Sequence, residues 1–286
     1  MPIMERQVSK AVYEQFFEME HTPFVRNIPA NRLYTSRKIE EALGRLKYTV
    51  DHRRFSVVMA DPGCGKSTLM RMFVDTLPKE KYLPLYLSDS KLTPRWLYAG
   101  LLDQMGLEAK INRGDSKRIL QRAIENVSQS QGRRVVCILD EAHLLDKETL
   151  EEFRFLLNCN FDSESPMALI LVGQRELWDQ KLRLQTYAAI RQRIYMKIFI
   201  ERLEGSEVRG YIAAHLAYAG CNTELFTSGA EAEIYKVSGG ILREINAICE
   251  KTLLYAFQQQ KKLIDEHMVR FVADNEMLPA EELMHA

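Results

Sequence analysis

The sequence predicts an α/β fold: a three-layer αβα domain around a parallel five-stranded sheet, followed by a small all-helical domain. Short, continuous apolar runs alternate with amphipathic helical patterns from about residue 55 to 200, which is the signature of a parallel sheet covered on both faces. From about residue 202 the strand signals stop and only helical patterns remain. A Gly-rich loop follows the first apolar run directly, and an adjacent pair of acids ends the third.

The strand-like runs are Phe55–Ala60, Tyr82–Leu87, Arg134–Leu139, Ala168–Val172 and Tyr195–Ile200. Upstream, Ile39, Leu43, Leu46 and Val50 recur at helical spacing after Ser36, while Phe16, Phe17, Pro23 and Phe24 sit in turn-prone sequence. Thr93–Met105 has a capping Thr93 and Pro94 in its first turn; Asp115–Val127 places Ile119, Leu120, Ala123, Ile124 and Val127 on one face. Beyond the sheet, Ser206–Ala219 ends at Gly220, Thr227–Val237 ends at Ser238-Gly239-Gly240, and Arg243–Gln259 and Glu266–Asn275 follow. The expected organisation is an N-terminal arm and helix over 1–52, an αβα domain over 53–202, a small helical domain over 203–276 and a tail over 277–286, with the boundary near Leu203-Glu204-Gly205.

Composition excludes more than it identifies. Hydrophobic residues make up 46% and charged residues 27%, enough for a core. Lys plus Arg is 39 and Asp plus Glu is 39, so bulk charge gives no reason to expect nucleic acid, and any DNA contact needs a local basic patch. The dispersed Cys64, Cys137, Cys159, Cys221 and Cys249 form no ligand-spaced pair and fit reduced thiols. No stretch approaches the roughly 18 apolar residues of a membrane span, and the start has no signal-like apolar region, so the expectation is a cytoplasmic protein.

Chemistry concentrates at two places. Ala60-Asp61-Pro62-Gly63-Cys64-Gly65-Lys66-Ser67 joins a strand to the helical pattern opening at Thr68. This is a phosphate-binding loop in its required context, with Ala60 in place of the usual first glycine. Glycines let backbone N–H groups and the helix N-terminus face phosphates. Asp61 to Thr68 would hold ATP, Lys66 would reach the β- and γ-phosphates, and Ser67 would give a hydroxyl to Mg²⁺. Asp140-Glu141 ends the apolar run Val135–Leu139, at the strand end where such sheets bind ligands. Asp140 would hold Mg²⁺ through water and Glu141 would polarise the attacking water. Asp140-Glu141-Ala142-His143 also spells a helicase tetrapeptide, but a two-lobed helicase motor needs a second nucleotide-binding domain. His143 is expected instead at the start of a surface helix.

These motifs, with Leu150-Glu151-Glu152-Phe153-Arg154-Phe155-Leu156-Leu157-Asn158, Leu171-Val172-Gly173-Gln174-Arg175-Glu176-Leu177 and Gly240-Ile241-Leu242-Arg243-Glu244-Ile245-Asn246, resemble the AAA+ ATPases of the ExeA type, in the superfamily branch of the transposition regulators TnsC, TniB and MuB. The likeness covers about residues 12–275. The resemblance implies that Gln174 is sensor 1, Arg243 is sensor 2 of the lid (with Leu242 where the family has proline), and Arg193 or Arg191 is an arginine finger given to a neighbouring subunit. It also implies a homo-oligomer, a ring or filament. Lys110, Arg113, Lys117 and Arg118 lie in a Gly-containing stretch between two helices that could follow a DNA backbone. Trp96, Tyr98 and Trp178 read as packing aromatics.

The leading expectation is an ATPase that assembles on double-stranded DNA when ATP-bound and recruits a transposase, hydrolysis driving disassembly. The alternative is a secretion-type ExeA ATPase, whose family continues into a membrane segment not found in this sequence. A P-loop small-molecule kinase is the third reading, and the Asp140-Glu141 pair argues against it.

Overall fold

The computed structural model describes residues 13–89, 92–157 and 165–277. The described residues divide into two compact units: those within 37–201 form one, and those within 13–36 and 202–277 form the other.

The first unit opens with α1 (Arg37–Asp51), which buries Ala42, Leu46, Thr49 and Val50 at helical spacing. β1 (Phe55–Ala60) follows and is buried along its whole length. Then come α2 (Lys66–Asp75), β2 (Tyr82–Leu87), α3 (Pro94–Gln104), α4 (Arg113–Ser130), β3 (Arg134–Leu139), α5 (Lys147–Leu156), β4 (Ala168–Gly173), the short α6 (Ala188–Arg191) and β5 (Ile194–Ile200). The five strands are parallel in the order β2-β3-β4-β1-β5. Val57 sits opposite Leu171, and Cys137 opposite both Leu169 and Leu85. Apolar side chains on both faces explain why the inner strands read as unbroken apolar runs. β5, on an edge, alternates instead, exposing Tyr195, Lys197 and Phe199.

This strand order places β4 between β1 and β3. The phosphate-binding loop after β1, the acids after β3 and Gln174 after β4 therefore emerge side by side at the carboxyl ends of the strands. The core beneath them includes Leu101, Leu120, Ile124, Leu150 and Phe153, each at most 1% exposed. Truncating one such residue to Ala costs about 2–5 kcal/mol.

The second unit contains α7 (Gly205–Tyr218), α8 (Ser228–Ser238), α9 (Leu242–Gln258) and α10 (Glu266–Glu276). Glu204 and Glu207 form a capping box at α7, while Thr227 and Asp265 accept the N–H groups of Ala230 and Met268 to cap α8 and α10. Gly240 has φ +77°, and a Cβ there would come 2.1 Å from the Leu203 carbonyl oxygen, so only glycine fits this approach.

The arm differs from its expected place. Tyr13, Phe17, Met19 and Phe24 are buried in one cluster with Val208, Ile212, Ile245, Leu253 and Val269. The expected 1–52 unit is thus divided after Ser36: its aromatic half completes the helical core, and its helix joins the sheet. The cause is long-range burial, which a boundary drawn from linear pattern cannot detect. Trp96, expected to pack, is 63% exposed, whereas Tyr98 is fully buried and its hydroxyl donates to Glu152. Cys64, Cys137, Cys221 and Cys249 are buried and in no disulfide; Cys159, Asn158 and the tail beyond Met277 lie outside the described residues.

Candidate functional site

The loop between β1 and α2 bends through two left-handed glycines, Gly63 at φ +78° and Gly65 at φ +87°. Gly65 is the N-cap of α2 and offers no side chain to satisfy the helix's first N–H groups, which leaves them for an external anion. Lys66 is buried, 8% exposed, and its Nζ lies 3.4 Å from the Ala60 carbonyl oxygen, folded back over the loop. Asp61 is anchored by Arg175, whose Nε donates to Oδ1 at 2.7 Å while its guanidinium lies over the Phe199 ring.

Asp140 is buried at the end of β3, and its backbone N–H donates to Leu87 at 2.8 Å. Ser67 Oγ donates to Asp140 Oδ2 at 2.9 Å, and the Tyr86 hydroxyl donates to the same oxygen at 2.6 Å. Oδ1 accepts the Glu141 N–H at 2.9 Å. Burial and the neighbouring carboxylate push the Tyr86 phenol up, so it remains a proton donor. Glu141 adopts a left-handed backbone, φ +54° and ψ +30°, unusual for a side chain of its size and worth about 1–3 kcal/mol of strain. Its side chain is 38% exposed.

His143 does not open a surface helix as expected. It lies in a 3₁₀ turn, Ala142–Leu144, with its side chain 9% exposed. Its Nδ1 is 3.6 Å from Glu141 Oε2 and receives the Gln174 N–H at 3.4 Å. Burial lowers its pKa, against the opposing pull of Glu141, which favours neutral imidazole at this junction. The residues after β3 and β4 are thereby linked through one ring.

The donor set fits a magnesium nucleotide. Ser67 and Asp140 offer hard oxygens side by side at the foot of a glycine cradle, which suits a small divalent cation that keeps water and phosphate in its shell. No group of three or more His, Cys, Asp or Glu side chains that could hold an ion by themselves occurs among the described residues. Ser67 and Asp140 would hold Mg²⁺, and the loop from Asp61 to Thr68 would hold the phosphates.

The two finger candidates separate. Arg191 donates through one guanidinium nitrogen to the carbonyls of Leu182, Arg183 and Leu184, at 2.9, 2.6 and 3.1 Å, and so closes off a helical turn. Arg193 is half-buried just before β5. Arg243 is exposed in the first turn of α9, in the second unit.

The basic stretch is also rearranged. Arg113, Lys117 and Arg118 are on α4 rather than in a loop, and only Lys110 precedes the helix. Arg113 pairs with Glu148 and Glu152, Lys117 with Glu152 at 3.2 Å, and Arg118 with Asp115 at 3.3 Å. Positive charge is unfavourable at a helix N-terminus, and the acids of α5 offset it.

A glycine-bent phosphate loop, a hydroxyl–carboxylate pair and a neighbouring strained glutamate, set on a β2-β3-β4-β1-β5 sheet, define the AAA+ P-loop fold. Residues 49–180 match the family described as AAA domain. The chain is 32% identical over 250 residues to General secretion pathway protein A of Aeromonas hydrophila, a match covering 86% of this chain and 45% of that protein. The chain therefore spans under half the length of that relative. Among solved structures it is similar to Drosophila ORC bound to DNA (TM-score 0.65, 18% identity, 97% of this chain and 68% of the other). It is also similar to Cdc6p from Pyrobaculum aerophilum (0.67, 15%, 91% and 72%) and to Thermotoga maritima RuvB (0.57, 17%, 83% and 66%). At these identities the structural likeness establishes the fold. No described helix is long and apolar enough to cross a membrane.

Sequence reasoning assigned Lys66, Ser67, Asp140, Glu141 and Gln174 to this site, and they lie together in the first unit. It missed Tyr86, His143 and Arg175. Arg175 had a signal, its position next to Gln174; Tyr86 read only as one residue of a strand.

Proposed function

We propose that the chain hydrolyses ATP and acts as an ATP-driven switch of the ExeA secretion type. The observation that carries hydrolysis is the corner at Asp140-Glu141, where one carboxylate is held against Ser67 and the next is part-exposed on a strained backbone. Mg²⁺, when bound, neutralises phosphate charge. Lys66 and the loop N–H groups bind the phosphates, Asp140 orients Ser67, and Glu141 accepts the proton of an attacking water. Gln174, reached through His143, completes the water's surroundings. A kinase would have no use for a water-activating Glu141, and its acceptor would gain the phosphate.

The secretion reading is favoured by the relative at 32% identity, whose matched stretch is longer than either compact unit. Where that relative continues beyond the match carries no weight against it. The transposition reading asked for phosphate-facing lysines and arginines; Arg113, Lys117 and Arg118 are instead engaged by acids. We place the finger on Arg193, the arginine nearer the start of β5, and with it a homo-oligomer whose site is completed across subunits.

The test is the Glu141→Gln protein, imaged with Mg-ATP in the presence and absence of linear double-stranded DNA, beside phosphate release by the parent. Oligomers that need ATP but not DNA support the secretion switch. Assembly only on DNA reinstates the transposition regulator. A parent that releases no phosphate, or a Glu141→Gln protein that turns over like the parent, defeats the hydrolytic reading.

A further inference from the structure

β2 is an edge strand, so alternate backbone groups along it face away from β3 and have no strand partner. At Tyr86 those groups are taken by one side chain. Gln104, the last residue of α3, accepts the Tyr86 N–H with Oε1 at 2.8 Å and donates Nε2 to the Tyr86 carbonyl at 2.6 Å. The carboxamide thus stands in for a neighbouring strand. It fixes the backbone from which the Tyr86 ring reaches Asp140.

A carboxylate at a strand end is free to turn about its last torsion unless its oxygens are held. At Asp140, Glu141 N–H holds Oδ1, and Ser67 shares Oδ2 with Tyr86. Ser67 closes the loop and its hydroxyl has a second duty toward the cation, whereas the phenol donates to Asp140. Of the two donors on Oδ2, the phenol is the one whose role does not change when nucleotide binds. Hydrogen bonds to an ionised acceptor are stronger than neutral ones, and partners that orient a metal-side carboxylate affect metal affinity.

We propose that Tyr86 is a positioning residue that holds Asp140 in its cation-binding orientation, and that Gln104 sets Tyr86 in place. The proposal rests on the reading of Asp140 as the magnesium-side carboxylate.

The test titrates Mg²⁺ into the full chain with a fluorescent, slowly hydrolysed ATP analogue and reads the Mg²⁺ concentration at half-maximal binding. Tyr86→Phe keeps the ring and loses only the hydroxyl; it should raise that midpoint about tenfold. Binding of the analogue without Mg²⁺ should stay at the parent level. Gln104→Leu should shift the midpoint in the same direction by less. In an Asp140→Asn background, Tyr86→Phe should add nothing, because the two side chains act as one unit. The proposal fails if Tyr86→Phe leaves the midpoint at the parent value, or if its effect persists in full with Asp140→Asn. A Mg²⁺ response in the parent that Asp140→Asn leaves intact overturns the reading of Asp140 itself. A parent response lost with Asp140→Asn but unmoved by Tyr86→Phe overturns only the phenol's role.

Discussion

The strand-end groups of the sheet-based unit and a buried histidine of the helical unit meet their polar surroundings in opposite ways. In the sheet-based unit, Ser67, Tyr86, Asp140, Glu141, His143 and Gln174 satisfy one another at the strand ends, and a strained glutamate backbone is held among them. In the helical unit, His215 is 2% exposed between Phe24 and Tyr211, and neither ring nitrogen has a hydrogen-bond partner. A group that works in chemistry must be oriented, so its neighbours are polar. A group that fills space needs only shape, and the imidazole is stacked on Phe24 at 5.0 Å and 9° like another aromatic ring. Mutations among these strand-end groups should therefore act through ligand affinity, and mutations around His215 through stability.

The largest effect on ligand affinity is expected at Lys66. Its Nζ is held over the phosphate loop, and no other cation of the loop sequence Ala60–Ser67 could replace it. Lys66→Ala should weaken ATP binding by about a hundredfold or more, since charge-assisted contacts to phosphate are each worth about 1.5–3 kcal/mol and the buried ammonium makes several. Calorimetric titration with ATP checks this, and the thermal midpoint of the ligand-free protein should hardly move. Affinity close to the parent's would mean that the comparison is drawn at the wrong residues.

The arm supplies the opposite case. Phe24 is 4% exposed in the helical core, far in sequence from every helix it packs with. Phe24→Ala should destabilise that unit by about 3–5 kcal/mol while leaving ATP affinity of the remaining folded protein unchanged. Chemical denaturation followed by helical signal, with nucleotide titration below the transition, reads both quantities. A loss confined to affinity would contradict the division of roles.

This contrast also explains what the sequence could and could not reveal. Gly63, Gly65, Lys66, Asp140 and Glu141 were legible because phosphate and water chemistry demands particular residue types at fixed distances from strand ends. The strands were legible because β1, β3 and β4 are buried on both faces and read as continuous apolar runs. The fate of Phe17 and Phe24 was not legible, because burial between segments that lie some two hundred residues apart leaves no local period. His143 was misplaced because a single turn of 3₁₀ helix looks like the start of a longer one. Arg113 and Lys117 looked like a basic loop because their partners, Glu148 and Glu152, come from α5.

Next in size is a pH effect. Burial lowers the His215 pKa to about 4 from an ordinary value of 6.5. The unfolded chain binds this proton below pH 6.5 and the folded one does not, so the contribution is fully present above 6.5 and is lost as pH falls through about 4. Over that window it amounts to about 3 kcal/mol. His215→Phe keeps the stacked ring and removes the titration, so its denaturation free energy should exceed the parent's at pH 4.5 by about 2–3 kcal/mol and match it within about 1 kcal/mol at pH 7. Equal pH slopes for the two proteins would show that the ring has a polar partner after all.

The smallest difference separates the two arginines before β5. Arg191 closes three carbonyls with one nitrogen, a structural task, so Arg191→Ala should destabilise the sheet-based unit by about 1–3 kcal/mol. Under the proposed function, Arg193→Ala should leave single-subunit nucleotide affinity near the parent's, and lower phosphate release only at protein concentrations where subunits assemble. Turnover measured across a dilution series separates the two. If Arg191→Ala, corrected for its folded fraction, shows the concentration-dependent loss and Arg193→Ala does not, the finger moves to Arg191, and the one residue in this region that would then serve both packing and chemistry would be a carbonyl-bound arginine that must leave its partners when a neighbour arrives.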